Sequence, residues 1–284
     1  MNTFCLPKEI DNIVGVLDLG AAWVDDELPI YWPLVELRQC KIVGLEANAK
    51  GGERFREKLA DYVPVEVIVT VLGDGNKTKM YTCAIPTTSS IYRPNMATMK
   101  EFEGMCEAME VKTRSDVDTV RLDDINLSIR PDLVKSDIQG ADFHVLMNAP
   151  STLRKANVLD IEVEFVEQYE GQGMFGDIDS MLRGRGFQFH TFRCFGMRPL
   201  SGFEQEEGGR RGFKQILWGN AVYVRAWEEM RSRRTESLVN AFKVLVNCYG
   251  SFDFGLRIIR EIEERTKIPI VEEYHHYCNK VLQV

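Results

Sequence analysis

Five apolar runs in this chain end on carboxylates, amides or glycines: Asp18 and Gly20, Glu46 and Asn48, Gly73 and Asp74, Asp137 and Gln139, Glu162 and Glu164. Carboxylates at such points can accept hydrogen bonds from hydroxyls or take a proton, and glycines let a ligand approach the backbone. In "LVKSDIQGADFHVL" (133–146) an acidic turn separates an apolar run from a helical pattern. Asp137 is the first candidate for a general base there and His144 the second, although a histidine inside a helix more often packs or faces solvent. Glu162 and Glu164 alternate along one strand and so share a face. With Asp137 and Glu167, Glu164 could hold a hard cation through oxygen ligands. A plain acidic pocket, or charges paired with Lys135 and Arg193, is the simpler reading, and no metal is assigned. The adjacent histidines of "YHHYC" (274–278) diverge on a helix and make no metal site.

A pyrophosphate-binding turn would need G-x-G-x-x-G after the first strand. This chain has "DLGAAWVDD" (18–26), with one glycine and then Asp25 and Asp26. That turn repels a pyrophosphate and tolerates a cationic sulfonium, which favours S-adenosylmethionine over a nicotinamide dinucleotide. Glu46, closing the second run, can accept hydrogen bonds from both hydroxyls of a ribose. Ser89, Ser90 and Tyr92 in "TTSSIYRPN" (87–95) could line an acceptor pocket, although serine and threonine clusters are commonly turn chemistry. "YEGQGMFGDID" (169–179) reads as either a mobile lid or an ordinary loop into a helix.

Such residues need strands to carry them. "NIVGVLDLG" (12–20), "CKIVGLEAN" (40–48), "VPVEVIVTVLGDG" (63–75), "DLVKSDIQG" (132–140) and "ANVLDIEVEF" (156–165) read as buried strands, with "WPLVELRQ" (32–39) and "GERFREKLADY" (52–62) as crossover helices. Alternation of this kind predicts a parallel sheet covered by helices. "GFQFHTFRCF" (186–195) and "QILWGNAVYVRAW" (215–227) follow with only a loop between them, which predicts an antiparallel pair at the sheet edge. Seven strands result, the plan of a Rossmann-like class I methyltransferase. Ligands of such sheets sit outside the carboxyl ends of the strands.

Residues 1–227 are therefore expected as one α/β domain, with 228–284 as a C-terminal helical extension. Its Leu238, Phe242, Leu245 and Val246, and then Leu256, Ile259 and Ile262, recur at helical spacing. The extension is either a cap on the domain or the surface of a homodimer.

A net charge of −8 disfavours nucleic acid as a partner, because capture of a phosphate backbone needs a basic surface. The short clusters "RSRR" (231–234) and "GGRRGFK" (208–214) read as solvated surface. No apolar run of membrane-spanning length and no signal peptide are visible, so no membrane insertion and a cytoplasmic location are expected. Seven scattered cysteines without Cys-x-x-Cys spacing suggest neither a disulfide framework nor a zinc site.

The succession "VLDLGA", "VGLEAN", "VLGDG", "TSSIYRPN", "VRLDDI", "LVKSDIQGADFHVLMNA", "IEVEFVEQYEGQGMFGDIDSMLRGRGF" and "QILWGNAVYV", from about Val14 to Val224, resembles the FkbM-type methyltransferases. The resemblance implies a Rossmann-like domain that binds S-adenosylmethionine and moves its methyl group, usually to a hydroxyl of a sugar or natural product. It implies Asp18 and Gly20 on the turn holding the methionine part, Glu46 on the ribose, Gly73 and Asp74 near the adenine, and Asp137 facing methyl donor and acceptor. Two departures stand out. Ala22 and Trp23 follow "DLGA" where the family commonly has another glycine, and Gln139 to Asp142 replace the common Glu-Gly-x-Glu. A non-catalytic module assembling partners through the helical tail is the competing reading, and a nicotinamide oxidoreductase is a weaker one.

Overall fold

The structure is a computed structural model that describes residues 3–24, 27–203 and 212–283. Asp25, Asp26 and most of "GGRRGFK" lie outside the described residues.

Among the described residues nine strands form: β1 (Val14–Leu19), β2 (Cys40–Glu46), β3 (Val65–Val69), β4 (Lys77–Cys83), β5 (Val111–Asp118), β6 (Leu133–Ser136), β7 (Val158–Glu164), β8 (Phe187–Met197) and β9 (Ile216–Arg225). Seven make one sheet in the order β3-β2-β1-β6-β7-β9-β8. The first five in that order run parallel, and β9 is antiparallel to both β7 and β8. This is the expected class I architecture. The antiparallel hairpin β4–β5 stands apart from the sheet. Its strands "KTKMYTC" and "VKTRSDVD" are polar and mostly exposed, so no apolar run announced them.

Alternate side chains of each strand enter two cores, which is why the parallel strands read as continuous apolar runs. On one face Val14, Val16, Ile42, Leu133 and Val158 pack against α1 (Trp32–Glu36) and α2 (Ala49–Leu59). The short α3 (Met96–Met99) and α4 (Met105–Ala108) sit between the hairpin strands and build a small satellite core. On the other face Leu17, Leu19, Val43, Val134 and Ile161 meet α5 (Asp142–Met147), α6 (Pro150–Lys155) and α7 (Phe175–Arg183).

The C-terminal helices α8 (Trp227–Arg231), α9 (Thr235–Lys243), α10 (Phe252–Thr266) and α11 (Val271–Leu282) complete the first face. Leu238, Phe242, Leu245, Val246, Ile259 and Ile262 are buried in the same cluster as Val14 and Val16. Those residues are covered within the chain, as a cap requires. Polar ties reinforce the docking: Asn240 Nδ2 donates to Asp132 Oδ2 at 2.7 Å, and the buried Lys243 Nζ donates to the Asn12 carbonyl at 2.6 Å.

Candidate active site

The strand order turns back between β1 and β6, and the first residues past both strands meet there. The Asp137 amide donates to the Leu19 carbonyl at 3.0 Å. Gly20 adopts φ +82°, and a Cβ on it would lie 2.0 Å from the Asp137 carbonyl oxygen. Only glycine fits both constraints. Above this contact opens a cavity of about 380 Å³, walled by the carboxyl ends of β1, β2, β3 and β6.

Asp18 is buried and belongs to the supporting layer, not the cavity wall. Tyr31 Oη donates to its Oδ2 at 2.6 Å and Lys135 Nζ to its Oδ1 at 3.0 Å. Asp18, Lys135 and Asp160 stand in register on three adjacent strands, and Arg193 Nε closes on Asp160 at 3.0 Å. Burial raises the Asp18 carboxyl, with Lys135 opposing the rise, while Asp18 and then Asp137 hold the Lys135 ammonium above its ordinary range against burial. The arrangement is an alternating row of charges beneath the site. Removing one member would strand the others in a dry setting.

Glu46 lines the cavity from the end of β2, its Oε1 accepting from the Asn48 amide at 2.7 Å. Burial raises its carboxyl. Asn48 also lines the cavity and caps α2, with Oδ1 accepting from the amides of Lys50 and Gly51. Thr70, Val71 and Leu72 form the next wall, together with Trp23 and Arg54. Gly73 and Asp74 are not part of that wall. Gly73 lies so near Thr119 that a Cβ would come within 2.7 Å, and Asp74 is held in a turn by the Asn76 amide and side chain, which lower its carboxyl.

Ser89 and Ser90 line the opposite side. Ser89 Oγ accepts from the Cys83 amide at 3.1 Å, while Ser90 Oγ donates to the Gln139 carbonyl at 2.6 Å and accepts from the Tyr92 amide at 3.0 Å. The Ser90 hydroxyl ties the loop to the acidic turn, and that of Ser89 ties it to the end of β4. Tyr92 Oη and His144 Nδ1 are 2.6 Å apart, on residues that are not part of the cavity wall.

Asp137 reaches the cavity, and its Oδ1 accepts from Gln139 Nε2 at 2.7 Å. The same Nε2 lies 3.3 Å from Glu162 Oε2. Tyr169 Oη donates to Gln139 Oε1 at 3.2 Å. Glu164 is buried behind them with neither carboxyl oxygen partnered, and burial, then Asp142 and Asp137, push its carboxyl well up. Glu167 is turned away, accepting from Asn95 Nδ2 and the Gly171 amide. Among the described residues no group of three or more acids, histidines and cysteines is arranged to hold a metal.

In the sequence Gln139 and Glu162 stand out as strand-end residues without an assigned role, and Tyr169, Trp23 and Arg54 carry no site assignment. The strand-end position of Glu162 was visible. Nothing near Gln139 in sequence points to Tyr169.

The family model of the methyltransferase FkbM domain matches residues 31–189, more than half of the chain. No curated protein matches. Among solved structures, the chain is similar to the magnesium protoporphyrin IX methyltransferase of Synechocystis PCC 6803, at 12% identity over 76% of this chain and 72% of that one, with a TM-score of 0.39. A TehB-like SAM-dependent methyltransferase of Corynebacterium glutamicum gives 10%, 75%, 81% and 0.35. Aeropyrum pernix fibrillarin, with natively bound S-adenosyl-L-methionine, gives 12%, 78%, 70% and 0.32. Similarity at these levels carries no weight for substrate or mechanism.

Proposed function

The chain belongs to the FkbM methyltransferase family, and from that premise we propose that it transfers a methyl group from S-adenosylmethionine to a hydroxyl oxygen of a small polar acceptor, a sugar or natural product. The observation that carries this reading is the meeting of Gly20 with Asp137 at the strand switch point, in one cavity with Glu46. The lining suits the cofactor. A glycine leaves room beside the backbone, a carboxylate stands where ribose hydroxyls can donate to it, and Leu45, Val71, Leu72 and Trp23 give an apolar wall for a purine.

Bound there, S-adenosylmethionine supplies an electrophilic methyl on a cationic sulfonium. Glu46 accepts from the ribose hydroxyls, and Asn48 orders the α2 turn beside them. Gly73 and Asp74 shape the β3 exit from behind the wall. Asp137 takes the acceptor's proton, since an un-ionised hydroxyl is a poor nucleophile. Ser89, Ser90, Tyr92 and His144 border the acceptor side, with Glu164 behind. Holding donor and acceptor in line supplies much of the acceleration of such a displacement.

The seven cysteines are free thiols, which suits work in the reducing cytoplasm. No helix among the described residues is long and apolar enough to cross a membrane. The acidic net charge supports a small-molecule acceptor over nucleic acid.

Calorimetric titration with S-adenosylhomocysteine tests the reading. Saturable binding is expected, weakened about tenfold or more in Glu46→Ala by loss of charged hydrogen bonds. No binding at millimolar ligand, or a Glu46→Ala affinity equal to wild type, would overturn it.

A further inference from the structure

Gln139 holds φ +53°, a region that favours glycine, and Gly140 follows at +81°. A glutamine stays there only when its surroundings over-determine it. They do so twice. Ser90 Oγ donates to its carbonyl at 2.6 Å, and Tyr169 Oη, shared between the Thr88 carbonyl at 2.9 Å and Gln139 Oε1 at 3.2 Å, fixes which end of the amide points where. Tyr169 is itself pinned, its amide donating to Gln172 Oε1 at 2.7 Å. With Oε1 occupied by a donor, Nε2 faces two carboxyls, Asp137 at 2.7 Å and Glu162 at 3.3 Å.

An amide brings hydrogens but no charge. Two ionised carboxylates converging on it would keep their full repulsion in a setting poor in water. The other ionisable groups facing them are also acids, Glu164 from the same strand and Asp142 from α5, together with the Tyr169 hydroxyl from the following loop, which stays neutral as a hydrogen-bond donor. Lys135 from β6 feels the Asp137 charge, but it bonds Asp18 at 3.0 Å and also feels Asp160.

We infer that Asp137 and Glu162 form a carboxyl pair carrying one proton between them, with Gln139 as the residue that positions it. Glu162 is the neutral member. Burial, followed by the Asp137 charge and then Glu164, pushes its carboxyl well above the ordinary range, and it hydrogen-bonds Asp137. Asp137 is the member that reaches the cavity. In the transfer reaction it takes the proton of the acceptor hydroxyl as the oxygen–methyl bond forms and the methyl–sulfur bond breaks, the electron pair staying on sulfur. The pair then holds two protons and returns one to solvent. That last step rests on the methyl-transfer reading; the shared proton does not.

Carbon-13 NMR of the side-chain carboxyls of the full chain, labelled at aspartate and glutamate, tests the pair without any ligand. Glu162→Gln assigns the Glu162 signal. Its midpoint is expected well above the ordinary glutamate range, and Asp137→Asn should lower it. In a Gln139→Ala background the Asp137→Asn effect should shrink severalfold, which a purely structural role for Gln139 does not require. A Glu162 midpoint near the ordinary value, or one indifferent to Asp137→Asn, would overturn the inference. Should Asp137→Asn fail to fold, the wild-type midpoint decides alone. Coupled titration without S-adenosylhomocysteine binding would sink the cofactor reading and leave the pair standing; binding with an ordinary Glu162 would do the reverse.

Discussion

Asp142 shows how burial sets a single group's behaviour. It lies under the acidic turn, accepting from Ser136 Oγ and, at 3.4 Å, from the Ile138 amide. Burial, reinforced by the Asp137 charge and opposed by the Ser136 bond, pushes its carboxyl from 3.8 up to about 7. A folded value above the unfolded one means that stability is fully present below the unfolded value and is lost as pH rises through the folded one. The window runs from about 3.8 to about 7. Asp142→Asn removes this titration and keeps the shape. In urea unfolding, the variant's stability relative to wild type should therefore improve between pH 4 and pH 8, by on the order of 2–4 kcal/mol at ~1.4 kcal/mol per unit. A difference that stays level across that range would show Asp142 to titrate normally. Burial also raises the buried Asp18 carboxyl, but there the Lys135 ammonium at 3.0 Å opposes the rise.

Elements are joined here by charged forks as much as by apolar faces. Arg225, at the end of β9, is 3% exposed and sits over the Phe187 ring with its guanidinium carbon 3.7 Å from the centroid. Its nitrogens reach the carbonyls of Leu153 and Ala156, at the end of α6, and of Arg185, in the turn before β8. The Leu153 carbonyl also accepts from the Ala156 amide at 3.2 Å, whereas the carbonyl of Ala156 lies past the last helical turn, so the guanidinium adds charged donors that lock this helix end to the sheet. Arg225→Met should cost about 2–3 kcal/mol in urea unfolding, because buried acceptors lose charged donors. Arg225→Lys should restore less than half of that, since an ammonium cannot span the same fork. Full recovery by lysine would mean that charge alone matters.

The C-terminal helices decide whether the molecule holds together. α9, α10 and the residues between them place Leu238, Val239, Phe242, Leu245, Ile258, Ile259 and Ile262 against the sheet. At roughly 1.5–3 kcal/mol for each buried side chain, their removal costs as much as or more than the ~5–15 kcal/mol by which a domain is stable. The polar ties of Asn240 to Asp132 and Lys243 to Asn12 would be left open as well. A chain ending at Trp227 is thus expected to be insoluble or to lack cooperative thermal unfolding by circular dichroism. A truncated chain that melts cooperatively would show residues 1–227 to be an independent domain.

Much of this architecture is written locally. A parallel sheet buried on both faces needs continuous β-branched runs, and their order and the loop-linked pair after Gly186 sufficed for seven strands with an antiparallel edge. The acids and glycines closing those runs marked Gly20, Glu46 and Asp137, which meet around one cavity with Ser90 of the serine loop. The polar hairpin β4–β5 left no trace because it buries too little to need a pattern. Gly73 and Asp74 shared the signature of the other strand ends, yet Thr119 and Asn76 hold them behind the wall. The role of Gln139 was beyond reach for a similar reason. Residue type shows that an amide is present, but which of its ends faces two carboxyls is set by Tyr169, 30 residues away in sequence. Periodicity and composition are properties of short segments, and they determine the elements. The direction of a side chain in a crowded site depends on contacts between distant segments, which exist only once the chain has folded.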